Sequence, residues 1–178
     1  MTIEHTTIGG GCFWCIDAIF RQFEGVISVT SGYSGGLSQN PDYEEICTGE
    51  SGHAEVIQIE FNADIISFDL LINVFFNIHD PTTLNQQGND IGTQYRSVIF
   101  YHNEIQKQYI EKIIPELNAK NKWHNPIVTE LKPLEKFYSA EQYHQDFYRN
   151  NQGNPYCNFM IPSKLEKIKA LYKKYLIK

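Results

Sequence analysis

The sequence predicts an α+β fold in which helices cover a sheet mainly on one side. Two segments, 26–33 and 54–61, alternate along the chain with the period of two that is typical of half-buried strands. Other segments place apolar residues at helical spacing and have polar residues on the opposite face. Because these amphipathic helices are interleaved with the strands, each has a sheet against which to bury its apolar face.

The predicted strands are short and bounded by turn residues. The chain opens with a polar strand-like segment before the glycines 9–11. Four further strands are predicted at 26–33, 54–61, 94–101 and 127–131. The sheet is therefore expected to draw on almost the whole length of the chain.

Three helices are predicted from apolar spacing and from signals at their ends. The first begins at or near Cys12, directly after the glycine run. The second follows Ser67, a typical N-cap residue, and ends near His79. The third is polar and spans about 104–120, where Pro115 predicts a kink or an early end.

The C-terminal part of the chain carries two capping boxes. Ser139-x-x-Gln142 and Ser163-x-x-Glu166 each predict the start of a helix. Between them, residues 150–160 are rich in Asn, Gly and Pro. This stretch is predicted to be a long loop that carries Cys157.

Composition and charge exclude several classes of protein. A chain of 178 residues, 42% of them hydrophobic and without a linker, is expected to form one domain over 1–178. A net charge of −6 leaves no basic face for nucleic acid. No apolar stretch approaches the roughly 18 residues that a membrane span requires. We expect a cytoplasmic monomer that binds neither nucleic acid nor a membrane.

The four cysteines are Cys12, Cys15, Cys47 and Cys157. Thiols stay reduced in the cytoplasm unless they are catalytic or bind metal, so no structural disulfide framework is predicted. A structural zinc site usually has two closely spaced pairs of ligands, and this chain has a single CxxC. The step from Cys47 to His53 matches no common zinc spacing, so we expect no metal, and a zinc-binding module is the weakest hypothesis.

The segment GGGCFWC at 9–15 places a thiol at a helix start. Exposed backbone N–H groups and the positive end of the helix dipole favour a thiolate there, which is the nucleophilic form. Glycines before it allow another molecule to approach the backbone closely. Cys12 is therefore predicted to be a reactive cysteine with a lowered pKa.

Glu55 is the most informative carboxylate. The period of two in strand 54–61 places it on the same, more apolar face as Ile57 and Ile59. A carboxyl group on that face loses hydration, which raises its pKa and lets it hold a proton near neutral pH. Single tyrosines and histidines are harder to assign, and pattern alone does not choose among the many in this chain.

A series of motifs resembles the methionine sulfoxide reductase A family, which reduces the S epimer of methionine sulfoxide. The motifs are GCFWC at 11–15, GYSGG at 32–36, NPDYEEICTGESGHAEV at 40–56, HDPTTLNQQGNDIGTQYRS at 79–97, YHQDFY at 143–148 and NPYCNF at 154–159. Together they extend over nearly the whole chain. The resemblance implies a two-layer α/β sandwich related to the ferredoxin-like arrangement, without a cofactor.

The resemblance also implies roles at the substrate site. Cys12 attacks the sulfoxide sulfur and becomes a sulfenic acid as methionine leaves. Glu55 protonates the sulfoxide oxygen. The other residues implied at this site are Phe13 and Trp14 as a wall for the S-methyl group, Tyr43 and Tyr95 as hydrogen-bonding partners, Asp90 as a further polar group, and His53 as a substrate-binding residue.

The resemblance implies that the sulfenic acid is recycled through a disulfide between Cys12 and Cys157, which thioredoxin reduces.

The chain departs from many relatives at Cys15, where they carry Gly, and at Asp17, where they carry Glu. Because Cys15 is one helical turn from Cys12, it is either a buried bystander or an additional resolving thiol. An alternative function, based on the CxxC alone, is a thioredoxin-like disulfide exchanger that uses Cys12 and Cys15.

Overall fold

A mixed six-stranded sheet forms the centre of the protein in a computed structural model that describes residues 1–178. The chain has eight strands, of which six belong to this sheet. They are β1 (Ile3–Gly9), β2 (Val26–Ser34), β3 (Ala54–Asn62), β4 (Gln86–Gln87), β5 (Asp90–Ile91), β6 (Val98–Tyr101), β7 (Glu130–Pro133) and β8 (Phe137–Ser139). The sheet order is β7-β6-β1-β3-β2-β8, and only the β6–β7 pair is parallel. β4 and β5 form a separate antiparallel pair.

Six α-helices accompany the strands. They are α1 (Phe13–Phe20), α2 (Tyr43–Cys47), α3 (Phe68–Ile78), α4 (Glu104–Ala119), α5 (Phe147–Asn150) and α6 (Pro155–Tyr172). Short 3₁₀ turns lie at Thr93–Tyr95, Gln142–His144 and Lys173–Tyr175. None of the helices combines the length and the apolar character that crossing a bilayer requires.

The main core lies between one face of the sheet and the helices. From β3, the alternate residues Ile57, Ile59 and Phe61 enter this core, together with Phe75 of α3 and apolar residues of α1, α4 and α6. Val56, on the other face of β3, belongs to a smaller cluster. The predicted α+β fold, with helices mainly on one side of the sheet, is confirmed.

The structure confirms the helix start predicted at Ser67 and differs from the early end predicted at Pro115. The Ser67 hydroxyl accepts a hydrogen bond of 3.2 Å from the N–H of Leu70, so α3 begins where its cap predicts. α4 continues through Pro115 to Ala119, so the early end is wrong. Pro115 and Glu111, whose carbonyl loses its helical partner, are both exposed, so the missing hydrogen bond lies on the solvent side of α4.

The predicted loop that carries Cys157 is instead the start of the longest helix. The side chain of Asn154 accepts a hydrogen bond of 3.0 Å from the N–H of Cys157, and Pro155 occupies the first helical position. Asn as N-cap followed by Pro is a strong helix start, because the missing proline N–H would be unpaired there in any case. Ser163 therefore lies inside α6 and does not begin a helix.

Other strand boundaries differ from the predicted ones, because pairing with a neighbouring strand decides where each strand begins. The strand predicted at 94–101 is limited to β6, and its first residues form the turn Thr93–Tyr95. The strand predicted at 127–131 begins only at Glu130, whose N–H donates to the carbonyl of Ser97 at 3.0 Å. Ser139 ends β8, and only a 3₁₀ turn follows it instead of the predicted helix.

Candidate active site

Cys12 stands at the junction of β1 and α1, as the N-cap residue of the helix. The glycines before it are required by packing. A Cβ at Gly9 would lie 2.7 Å from the backbone oxygen of Glu55, and one at Gly10 would lie 3.0 Å from the ring of His79. Gly11 has a φ of +93°, which side chains rarely adopt. The glycine run thus brings Cys12 against β3, and the prediction of a helix start is confirmed.

The prediction of a lowered pKa for Cys12 is wrong. Burial raises the pKa of this thiol well above its usual value, and a hydrogen bond with the Cys15 side chain and the negative charge of Glu55 raise it further. A helix N-terminus favours a thiolate, but here desolvation outweighs it because the terminus is itself enclosed. Cys12 therefore rests as a thiol.

Glu55 lies on β3 with its side chain buried, as its place in the strand predicts. Its Oε2 accepts a hydrogen bond of 3.0 Å from the backbone N–H of Phe13. Burial raises the pKa of Glu55 to about 8, opposed by that hydrogen bond and supported by the negative charge of Asp90. The raised pKa is confirmed, so this carboxyl group keeps a proton at neutral pH beside Cys12.

Three polar side chains from separate loops and turns converge on Glu55. Tyr43 begins α2, Tyr95 ends a 3₁₀ turn, and Asp90 lies in the β4–β5 pair. Burial and the charge of Glu55 raise the pKa of both tyrosines, so both hydroxyls are neutral donors. The hydroxyl of Tyr156 donates to Asp90. The structure thus brings together the polar residues predicted for the site, with Tyr156 in addition.

Trp14 is partly exposed beside these residues. Its ring stacks on Phe147, with the centroids 3.8 Å apart and the planes inclined by 7°. Its indole N–H donates to Nδ1 of His144 at 3.0 Å. Phe13 is fully buried and packs beneath His144, with ring centroids 5.0 Å apart. Trp14 therefore faces the site, and Phe13 supports it from the core.

His144 and Glu141 belong to the site, although sequence reasoning did not select them. Since Nδ1 of the buried His144 accepts from Trp14, Nε2 carries the proton of the neutral ring, and it has no protein partner. Glu141 accepts from the hydroxyl of Tyr33 and from the N–H of Tyr43, each at 3.0 Å. The motif YHQDFY contained the signal for His144, but one histidine among six has no distinguishing pattern.

His53 is not part of this constellation. Its Nδ1 accepts from the N–H of Gly36 at 3.0 Å, and its Nε2 lies 2.9 Å from the carbonyl of Ser38. The ring also meets Tyr138 edge-on. With both nitrogens engaged by the loop after β2, His53 fixes that loop, and its substrate-binding role stays a prediction.

The remaining thiols differ sharply in their surroundings. Cys15 and Cys157 are both buried and belong to one small cluster with Ala18 and Ile161, between α1 and α6. Cys47 is exposed. All four cysteines are free, and no three His, Cys, Asp or Glu side chains form a group suited to hold a metal ion.

A thiol at a helix start, a second thiol one turn away and a carboxyl group that holds its proton define a thiol-dependent oxidoreductase. The family model for peptide methionine sulfoxide reductase matches residues 4–176, and the chain belongs to this family. The peptide methionine sulfoxide reductase MsrA of Saccharolobus solfataricus is 53% identical over 170 residues, which are 96% of this chain and 95% of the relative.

Solved structures agree with this assignment. Reduced Mxr1 from Saccharomyces cerevisiae has a TM-score of 0.80 at 35% identity, covering 85% of this chain and 87% of that one. Mxr1 in complex with Trx2 has a TM-score of 0.58 at 28% identity, covering 82% and 84%. The fold that the family resemblance implies is therefore confirmed.

Proposed function

We propose that this protein reduces the S epimer of methionine sulfoxide, free and in proteins, to methionine and thereby repairs oxidised proteins. The relatives are named peptide methionine sulfoxide reductases, which supports the reaction class. The single observation that carries the proposal is the buried carboxyl group of Glu55, held against the N–H of the residue after Cys12, where burial raises its pKa to about 8. A reaction in which a sulfoxide loses its oxygen needs an acid beside a thiol, and this site supplies both.

Glu55 is the acid of the first step. Its Oε2 is held by Phe13, and its Oε1 makes no hydrogen bond to the protein, so a proton on Oε1 can be directed at the sulfoxide oxygen. Tyr43 and Tyr95 are neutral donors for the same oxygen, and Asp90 keeps the local charge negative, which favours the protonated form of Glu55. Protonation makes the sulfoxide sulfur electrophilic.

Cys12 is the nucleophile. Its sulfur bonds to the sulfur of the activated sulfoxide, and the thiol proton returns to the Glu55 carboxylate. The oxygen then passes to the Cys12 sulfur as the new S–S bond and the sulfoxide's S–O bond break. The products are methionine and a sulfenic acid on Cys12, so sulfoxide plus thiol gives thioether plus sulfenic acid. Trp14 provides the apolar surface for the substrate's S-methyl group, and Phe13 holds that surface in place from below.

Recycling returns the sulfenic acid to the thiol. We assign Cys157 to the thiol that passes the oxidising equivalents on to thioredoxin, in line with the family resemblance. The solved complex of Mxr1 with Trx2 supports thioredoxin as the reductant. The four free cysteines suit a reducing compartment, and we place the protein in the cytoplasm on that ground.

The experiment is a two-epimer assay. The protein is incubated with peptides that contain either the S or the R epimer of methionine sulfoxide and with dithiothreitol, and methionine is measured. We expect consumption of the S epimer alone, and none with Cys12→Ser. The thioredoxin-like alternative, for which nothing in the comparisons speaks, predicts turnover of a disulfide substrate instead, and failure to consume the S epimer would refute the proposal.

A further inference from the structure

A groove that contains two lysines lies between the end of α3, the β4–β5 pair and α6, and we call it the lysine groove. Its volume is about 320 Å³. His79 and Asp80 line it after α3, Gln87 lines it from β4, and Lys164 and Lys167 line it from α6. The lining is almost entirely polar, so the lysine groove suits a charged or polar ligand.

The lysine groove shares a wall with the active site. A Cβ on Gly10 would lie 3.0 Å from the ring of His79, and one on Gly11 would lie 2.7 Å from the side chain of Gln87. Gly11 directly precedes Cys12 in the chain. The glycine run therefore separates the lysine groove from the reactive thiol by the thickness of one backbone segment.

The elements that frame the lysine groove also continue into the active site. Gln87 pairs with Asp90 in the β4–β5 pair, and the hydroxyl of Tyr156 on α6 donates to Asp90. Lys164 lies about two helical turns after Tyr156, which corresponds to about 12 Å along α6. An extended peptide spans this distance with about four residues.

The two lysines of the groove have no acidic partner in the protein. Carboxylates lie within 4.0 Å of Lys107 and Lys169, but none lies that close to Lys164 or Lys167. Asp80 is the one acid in the lining, and its Oδ1 already accepts two hydrogen bonds from its own loop. The lysine groove is thus positive, although the chain as a whole has a net charge of −6.

A third lysine adds to the positive charge at the edge of the lysine groove. Nζ of Lys122 donates a hydrogen bond to Oδ1 of Asn77, which lines the groove. Burial and the positive charge of Lys167 lower the pKa of Lys122. Burial also lowers the pKa of His79 to about 4, and the positive charge of Lys164 contributes. Positive groups that repel one another in this way are stabilised by an anion placed between them.

We propose that the lysine groove binds acidic side chains of the protein substrate, so that oxidised methionines with Asp or Glu about four residues away are preferred. This inference rests on the proposed function and adds a class of substrate to it. A chain that delivers its oxidised methionine to Cys12 has to leave the site over the neighbouring surface. The lysine groove offers unpaired ammonium groups on that surface, and carboxylates accept charge-assisted hydrogen bonds from them.

The experiment compares two peptides of the same length and sequence, each with one S sulfoxide at its centre. One carries Glu at the third and fourth positions on both sides of the sulfoxide, and the other carries Gln there. Methionine formation is measured with dithiothreitol as the reductant. We expect kcat/KM to be about fivefold higher for the Glu peptide at low salt, and the difference to disappear at about 1 M salt, where surface charges are screened.

The double variant Lys164→Gln with Lys167→Gln should lower the Glu-to-Gln ratio of kcat/KM to about one. The Gln peptide is the internal reference, because any effect of these substitutions on the thiols changes both rates alike. Lys173→Gln with Lys174→Gln is the matched control, since it removes two exposed charges beyond the end of α6 and should retain the fivefold ratio. Glu residues moved next to the sulfoxide should also lose the preference.

Three results would overturn the proposal. The first is an equal kcat/KM for the two peptides with the unmodified protein, which needs no variant to fold. The second is an equal fall of the ratio in both double variants, which would assign the preference to net charge. The third is a defect of the Lys164 and Lys167 variant that appears only with thioredoxin, which would assign the lysine groove to the reductant. Failure of the proposed function would appear separately, as no methionine from either peptide.

Discussion

The backbone N–H of Phe13 donates a hydrogen bond of 3.0 Å to Oε2 of Glu55. This bond joins the residue that follows Cys12, the proposed nucleophile, to Glu55, the proposed proton donor, although 42 positions separate them in the chain. It connects the first turn of α1 to β3, so the thiol and the acid are held at a fixed mutual distance. Both proposed reacting groups are therefore in place before substrate binds.

Glu55→Gln should slow methionine release by roughly 10² to 10⁴, the usual contribution of a general acid. Gln retains the size of Glu and an oxygen for the N–H of Phe13, but it has no proton to transfer. The rate is measured in a single turnover, so that recycling does not limit it. An unchanged melting temperature together with an unchanged rate would remove Glu55 from the mechanism.

The pH dependence of methionine release should follow the ionisation of Glu55. The acid is protonated below its pKa of about 8, so the ratio of kcat/KM for the unmodified protein to kcat/KM for Glu55→Gln should fall by about tenfold for each pH unit above that value. Taking the ratio removes the ionisation of Cys12, which both proteins share. A ratio that stays level between pH 7 and about pH 10 would contradict the assignment.

Stability should depend on pH through the same group. The folded-state pKa of Glu55 is raised from 4.5 to about 8, so the folded state holds a proton that the unfolded state gives up in this interval. Its contribution to the free energy of unfolding is complete below pH 4.5, is lost as the pH rises to about 8, and is constant above that. Glu55→Gln should reduce the slope in urea denaturation series between pH 5 and pH 8.

These predictions depend on residues whose placement the sequence indicated to different degrees. The inward side chain of Glu55 followed from the period of two in β3, because the strand face decides burial. The raised pKa of Cys12 could not be predicted from its position at the start of α1, because residues distant in sequence bury that position. The sequence predicted a loop around Cys157, where the structure has the first turn of α6, because Asn and Pro are common both in loops and at helix N-termini. Asp90 and Tyr95 were found through family motifs alone, since turns have no periodicity to read.

The Trp14–His144 hydrogen bond should determine how firmly the substrate wall is held. His144→Phe retains an aromatic ring but removes the acceptor, leaving the indole N–H unpaired at a cost of about 1 to 3 kcal/mol. Trp14→Phe removes the donor. We expect KM to rise in both variants, and the double variant to lose less than the sum of the two. Strictly additive effects would show that the hydrogen bond contributes nothing.

Arg21→Ala should destabilise the fold in a pH-dependent way. The Nε of Arg21 lies 2.9 Å from Oδ2 of Asp17, whose side chain is 1% exposed, and 3.5 Å from Asp146. Burial already raises the pKa of Asp17 to about 6, against the opposing effect of Arg21. Without Arg21 a buried carboxylate has lost its partner, which costs about 3 kcal/mol near pH 8.

At pH 5 the loss in Arg21→Ala should be smaller, because Asp17 then takes up a proton in the folded state at little cost. Arg149→Ala is the matched control. The side chain of Arg149 is 81% exposed and pairs only with Asp146, so its removal should change the free energy of unfolding by less than about 0.5 kcal/mol at either pH. Urea denaturation at pH 5 and pH 8 measures both variants, and an equal loss of stability for Arg21→Ala at the two pH values would contradict the role of Asp17.

Since Asp146 directly precedes Phe147, which stacks on Trp14, Arg21→Ala should also raise KM for the sulfoxide.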